Sequence, residues 1–387
     1  MAFRALRPTG DSIVWQHQSA PRTLQAGYHC YWVNCGTAAL ALALIAACAE
    51  RGLANPEVIL PTYGCPDLIA AAHFAGAKAV LVDLRTDSPD YDHAQLQDAI
   101  NNNTVAVVAA TLLGIRTNPD TMRDAIGTRP VSLVEDSAQW FPRNAEQAFF
   151  GDHVVISFGR GKPVNLLSGG ALLSRHPLPA HVCHHIASDE SRLTSRIKYA
   201  GKLIAYNLLI HPLAYGIVER LPLLQLGATA YHALDHICAM EASAHELLNA
   251  NLLHFSERDL QVQARWKNAV KSLQDPDIID LAESHAVPRD DALLRYPLLI
   301  KNSERRNRVY TALNQRGLGA SIMYPDALFN IVNVSKIAHA GEHARLHAGQ
   351  QNALLLAQHL LTLPTHRDTT PAIIEQTLDV LRSSRNR

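Results

Sequence analysis

The sequence predicts an α/β protein: a largely parallel sheet covered by helices on both faces, then a smaller C-terminal α+β unit. Three observations carry this. Short apolar runs recur between residues 30 and 175, each bounded by turn residues. Helical segments of about 10–15 residues separate them, as parallel crossovers require. Beyond residue 295, strands and helices mix in one compact stretch.

The elements follow in order. Thr37 to Arg51 is rich in Ala and Leu and reads as a helix. Val58-Ile59-Leu60-Pro61 closes a short strand, Asp67 to Phe74 is helical, and Gly76 turns the chain into the strand Ala79 to Asp83. Thr104 to Ala110 is a buried strand, followed by strands at Val131 to Asp136, Val154 to Phe158 and Ala171 to Ser174. Residues 188–226 read as a helical insertion interrupted by Pro212 and Pro222. A long helical region is expected from Tyr231 to Leu273. Arg295 to Ile300 is a strand. Ser303, as N-cap, opens a helix that Gly317 stops. Leu361 to Pro364 is a strand, and Pro371 to Ser383 is the last helix, with Thr370 before its first-turn proline. The expected domains are 1–235 and 236–387.

Composition narrows the function classes. The chain has 387 residues, 48% hydrophobic and 18% charged, so it folds around a large core. Its 35 basic and 35 acidic residues balance, and no basic cluster suggests nucleic acid. Six cysteines show no CxxC pair or zinc spacing, so no metal is expected and a reducing cytoplasm is the simplest location. The apolar stretch 203–226 carries His211, Glu219 and Arg220, which speaks against a membrane span. A buried or subunit-contacting hairpin is the plainer reading, with contact to lipid or to a carrier-linked substrate, or an active-site lid, as the alternatives.

Open α/β sheets bind ligands at the carboxyl ends of their strands. Lys162 lies there, in Ser157-Phe158-Gly159-Arg160-Gly161-Lys162-Pro163 between two apolar strands. Such a lysine suits an amine that forms an imine with pyridoxal phosphate. Gly36-Thr37 opens an Ala-rich helix and presents first-turn N–H groups and a hydroxyl, a phosphate site. Asp136 closes an apolar strand, placed to pair with a pyridinium nitrogen, though taken alone it equally suits a helix cap or a metal-site acid. Pro61-Thr62-Tyr63-Gly64-Cys65-Pro66 is a strand-end turn that could lie over the cofactor ring.

Together these segments resemble the DegT/DnrJ/EryC1/StrS family of sugar aminotransferases, in the fold-type-I pyridoxal-phosphate superfamily. The resemblance rests on Cys35-Gly36-Thr37-Ala38-Ala39-Leu40, Glu135-Asp136-Ser137-Ala138-Gln139, Ser157-Phe158 with Lys162 and Gly169-Gly170, and a C-terminal part running through Tyr324-Pro325. It implies a mostly parallel seven-stranded sheet in the large domain and a homodimer with active sites at the interface. It implies a Schiff base on Lys162, Asp136 at the pyridine nitrogen and Gln139 near the ring's 3-oxygen. Gly36, Thr37 and Ser157 would hold the phosphate, and an amino acid, glutamate by family habit, would aminate a keto-sugar.

Departures from the pattern are Cys65 where an aromatic residue usually stacks on the ring, and Gly227-Ala228-Thr229-Ala230-Tyr231 where an Asn and an Arg cross the dimer interface. Thr229 is the remaining candidate for a cross-subunit phosphate contact. Arg160 and Tyr324 are candidates for substrate contact. A non-nucleotide or carrier-linked acceptor, or an idle scaffold that keeps the fold, are the alternatives.

Overall fold

Period-two alternation decides how the central sheet is covered. The computed structural model describes residues 4–19, 21–188, 193–218, 229–331 and 344–385. In β2 (Glu57–Pro61) Val58 and Leu60 join one core while Ile59 joins another. In β3 (Lys78–Val82) Ala79 and Leu81 alternate in the same way with Val80 and Val82. Both faces are therefore buried, which explains why the sequence shows continuous apolar runs rather than polar alternation. One face packs on α1 (Gly36–Arg51) and α2 (Asp67–Phe74), the other on α3 (His93–Ala99) and α4 (Pro119–Ile126).

The small side chains of α1 let it lie close to the sheet. Its buried residues are all Ala or Leu, and Gly52 ends it with φ 57°, where a Cβ would be strained. The other strands of the sheet are β1 (His29–Val33), β4 (Thr104–Ala110), β5 (Ser132–Asp136), β6 (His153–Ser157), β7 (Gly170–Ser174) and β12 (Ala344–His347). The order is β1-β7-β6-β5-β4-β2-β3-β12, and β7 alone runs against the rest. The sheet has eight strands, one more than expected, because β12 returns from the C-terminal part to pair in parallel with β3.

After β7 come α5 (Ala180–Cys183), β8 (Ile186–Ala187), α6 (Leu193–Leu209) and α7 (Pro212–Val218). Pro212 opens α7 rather than breaking a helix. Pro222 and the rest of the insertion lie outside the described residues. Tyr199 and Leu203 of α6 face inward, as does Ile210 just after it, whereas Ile197, Ile204 and Leu208 are exposed. Among the described residues no helix is long and apolar enough to cross a membrane, and no cluster of His, Cys, Asp and Glu could hold a metal.

The long helical region expected from Tyr231 to Leu273 is helical from Ala242 on, in three separate helices, and begins with a short strand. It contains β9 (Ile237–Cys238), α8 (Ala242–Glu246), α9 (Leu248–Ser256) and α10 (Gln261–Leu273). The breaks have a packing cause: β9 pairs with β8, and Met240, Ala244 and Leu248 turn into the core formed by β6 and β7. Last come β10 (Ile278–Asp280), α11 (Leu281–Ser284), β11 (Tyr296–Ile300), α12 (Ser303–Gln315), helix Gln351–His359, β13 (Leu360–Leu363) and helix Pro371–Ser383. Strands β10, β11 and β13 form a small antiparallel sheet with its own core. The N-cap of α12 is Asn302, whose side chain accepts from Arg305 N, so Ser303 is the first helical residue and not the cap.

Candidate active site at the strand ends

Strand register brings the candidate residues to one edge of the sheet. Gly170 pairs with Val33 on one side and Ser157 on the other, so the ends of β1 and β6 flank the start of β7. Asp136 pairs with Ala110 and Val155, at the same edge. The N-terminus of α1 is pressed into this corner. A Cβ on Gly36 would lie 2.7 Å from Ser157 Cβ, and one on Gly170 would lie 2.5 Å from the Cys35 carbonyl carbon. Two glycines therefore permit the helix start and the strand ends to close on each other.

The helix start is capped by sulfur: Cys35 Sγ accepts from Ala38 N at 3.4 Å. Burial pushes the Cys35 thiol up, so it adds no negative charge to the first turn. The Thr37 hydroxyl donates to Asp67 Oδ2 at 2.9 Å, which ties α1 to the first turn of α2. Asp67 is a polar member of the site that the sequence reading missed. Its signal was an acid right after Pro66, in the turn leaving a strand end.

Asp136 is held from both ends. Its carbonyl accepts from Thr111 N at 3.0 Å and from Thr111 Oγ1 at 2.8 Å. Its Oδ1 accepts from Ala138 N at 3.1 Å. Desolvation raises the Asp136 carboxyl above its ordinary range, the charge of Lys162 opposes this, and the charge of Asp67 adds to it. An acid so placed gains from a second cation beside it. Lys162 is partly buried, and its amide donates to Gly159 O at 3.3 Å, closing the turn after Ser157.

Gln139 bridges two parts of the molecule. Its Oε1 accepts from Leu113 N at 2.9 Å, and its Nε2 donates to Tyr324 Oη at 3.1 Å. Leu113 has φ 64°, a conformation uncommon for a side chain of its size. That Gln139 bond and a second from Leu294 N to Leu113 O hold it. Tyr324 is buried against Tyr63, ring centroids 5.6 Å apart and edge-on. Burial drives the Tyr324 hydroxyl far up, with Cys65, Tyr63 and Asp136 as further causes, so it stays neutral.

Cys65 lies in the same group: burial pushes its thiol up to about 12, Asp67 adds to this and Lys162 opposes it. Tyr63 does not face the site in its place. It is buried in the core of the small sheet and donates to Tyr324 O at 3.0 Å.

Two candidates lie apart. Arg160 is exposed, and its charge acts on Tyr206 of α6. Gly161, with φ 74°, turns the backbone between Arg160 and Lys162. Thr229 begins the segment leading to Tyr231, whose hydroxyl lies 3.4 Å from His73 Nδ1 at the far end of α2 from Asp67. A cavity of about 440 Å³ lined by Asp11, Asn165, His254, Arg258 and Arg367 lies behind the 163–165 loop and includes none of the strand-end residues.

The arrangement could hold pyridoxal phosphate. The tight corner at Gly36, Thr37 and Ser157 offers first-turn amides and hydroxyls to a phosphate. The desolvated Asp136 suits a protonated ring nitrogen, and Lys162 supplies an amine in the same field. No arginine faces this corner among the described residues, and Asp67 adds a negative charge to it.

Comparison with known proteins shows what the chain is similar to. The chain is 26% identical to a GDP-perosamine synthase of Escherichia coli O157:H7 over 45% of this chain and 48% of that protein. It is 31% identical to a dTDP-3-amino-3,4,6-trideoxy-alpha-D-glucose transaminase of Micromonospora megalomicea subsp. nigra over 52% of each. The matches span about half the length of these curated relatives. The fold matches that of S. venezuelae DesV in complex with a ketimine intermediate, with TM-score 0.64 and 21% identity, covering 93% of this chain and 85% of that one. The model of the DegT/DnrJ/EryC1/StrS aminotransferase family matches residues 22–382, so the chain belongs to that family.

Proposed function

We propose that this protein is a pyridoxal-phosphate-dependent aminotransferase that transfers an amino group from an amino acid, glutamate first among candidates, to a keto-sugar. The observation that carries the reading is the desolvated Asp136 at the strand ends with the charge of the partly buried Lys162 acting on it, beside the glycine-tight corner at Gly36. Bound there, pyridoxal phosphate would supply an electron-withdrawing ring that stabilises negative charge on the substrate's α-carbon.

The chain's own residues divide the remaining work. Gly36, Thr37 and Ser157 would anchor the phosphate. Asp136 would keep the ring nitrogen protonated by its negative charge. Gln139, fixed by Leu113 and Tyr324, would orient the ring through its 3-oxygen. Lys162 Nζ would hold the cofactor covalently at rest and, once released, carry the proton between the substrate's α-carbon and the cofactor's C4′. Two chains are proposed to pair in the cytoplasm, with Thr229 of the partner subunit reaching the phosphate.

A second reading keeps the cofactor and changes the acceptor. The exposed Ile197, Ile204 and Leu208 on α6 favour an acceptor carried on a lipid or other apolar carrier. Adding L-glutamate to the cofactor-loaded protein tests the main reading: the visible band should move to that of the aminated cofactor, and a keto-sugar nucleotide should restore it. A band unchanged by any amino acid would refute amino transfer and leave a scaffold that keeps the fold.

A further inference from the structure

Among the described residues the buried arginines Arg7, Arg305 and Arg306 have partners that account for their charge or their donors, whereas the partly buried Arg295 is less well supplied. Arg7 meets Asp368 at 2.6 Å and the carbonyls of Gly10 and Ile210. Arg305 meets Asp275 at 2.6 Å. Arg306 leaves Nε unpaired, but both its terminal nitrogens donate to carbonyls, those of Leu360 and Ala357. Arg295, just before β11, differs from all three. Its single hydrogen bond among the described residues runs from Nη1 to Ser321 Oγ at 2.6 Å. Its Nε is buried without a partner, and no carboxylate lies within ion-pair distance among the described residues. A desolvated cation in this state is costly, so an incoming anion would gain from meeting it.

Its surroundings say where that use lies. Burial lowers Arg295 below the usual range, and the groups that oppose this are Tyr324, Tyr215 of α7 and Tyr63. Tyr324 is the ring that reaches Gln139 and whose hydroxyl feels Asp136. Ser321, which holds Nη1, lies on the same short loop as Tyr324. Arg295 therefore stands behind Tyr324 on the small-sheet side of the strand-end site. With Nη1 engaged, Nε and Nη2 make no hydrogen bond among the described residues, and together they form the fork that accepts two carboxylate oxygens.

We propose that Arg295 is the binding residue for a carboxylate of the amino donor. The inference rests on the aminotransferase reading above and adds the donor's anchor to it. Arg160, the residue that the sequence suggested for a substrate anion, is exposed on the outer side of its loop. Arg295 has the burial and the free donors that such a contact needs.

The test uses the cofactor-loaded protein and glutarate, a dicarboxylate with no amine to transfer. Calorimetry should show one glutarate site in wild type, weakened by roughly 10- to 100-fold in Arg295→Gln, the loss expected for hydrogen bonds to a charged group. Arg295→Lys should recover part of it, and Ser321→Ala, which frees Nη1 but keeps the charge, should weaken it only a few-fold. Binding of dTDP should not change in any variant. Arg295→Gln should melt no lower than wild type, because it removes an unpaired desolvated charge, whereas a purely structural arginine would lower the melting temperature.

Equal glutarate binding in wild type and Arg295→Gln, no glutarate binding by wild type, or a loss of dTDP binding with glutarate binding kept would each overturn the proposal. The cofactor absorbance of every sample is read alongside. A wild type that takes up no cofactor refutes the aminotransferase reading, and a normal band with Arg295-independent glutarate binding refutes only the anchor.

Discussion

Replacing Gly36 with alanine attacks the corner on which cofactor binding depends. The added Cβ would meet Ser157 Cβ at 2.7 Å and its Oγ at 3.0 Å. Relaxed carbon contacts lie at roughly 3.5–4.0 Å, so the helix start or Ser157 must yield by about 1 Å. The helix has little freedom to retreat, since the buried residues behind Gly36 are wholly or almost wholly shielded and pack on the sheet. Overpacking of this size costs about 1–3 kcal/mol. If that strain is relieved only by opening the phosphate corner, affinity for pyridoxal phosphate falls roughly 5- to 150-fold, at 1.4 kcal/mol per factor of ten.

The assay is a titration of the cofactor-free protein with pyridoxal phosphate, read by absorbance, beside a thermal melt. Gly52→Ala is the control. It strains the other end of the same helix, at φ 57° with no atom within 4 Å of the added Cβ, and should lower the melting temperature without changing cofactor affinity. A folded Gly36→Ala protein that binds the cofactor as wild type does would refute the reasoning.

Two further outcomes are expected. Glu135 is buried, accepts from Phe150 N at 2.6 Å and Gly151 N at 3.0 Å, and burial raises its carboxyl to about 7 from its ordinary 4.5. The folded chain therefore keeps a proton that the unfolded chain releases, and the stability this contributes is full below pH 4.5 and is lost as pH rises to 7. Glu135→Gln should remove about 3 kcal/mol of that pH dependence, seen as a flatter urea midpoint between pH 4.5 and 8; an unchanged slope would contradict it. Asp136→Asn should still take up the cofactor but slow the change of its band with L-glutamate on the order of 100-fold or more, because the charge facing the ring is lost. A rate within a few-fold of wild type would show that Asp136 does not face the ring nitrogen.

How much of this was legible in the sequence depended on whether a signal was local. Helix Asp67–Phe74 and strand Thr104–Ala110 match their expected bounds, because each apolar run ends at a turn residue or a strand-end polar group. Strand β1 and the broken course of 231–273 were less visible. Both are set by pairing with distant segments, β1 with β7 and β9 with β8, and composition does not encode a partner. β12 was missed for the same reason: Ala344–His347 is a short strand that gains its partner, β3, from far up the chain.

At the site, residues closing a strand or opening a helix were readable, since strand ends point to one edge of an open sheet. Asp67 and Arg295 were not. Asp67 looked like an ordinary first-turn acid, and its contact with Thr37 joins two helices. Arg295 looked like the polar start of a strand, and only the fold shows that its Nε is buried without a partner while Nη1 meets a single hydroxyl.

The most direct measurement is chemical trapping of the cofactor. The loaded protein is reduced with borohydride, digested, and searched by mass spectrometry for a pyridoxyl group. The account predicts one modified residue, Lys162, and none in Lys162→Ala. An unmodified Lys162 in protein saturated with cofactor, or a pyridoxyl group on Lys198 or Lys202 of α6 instead, would contradict it.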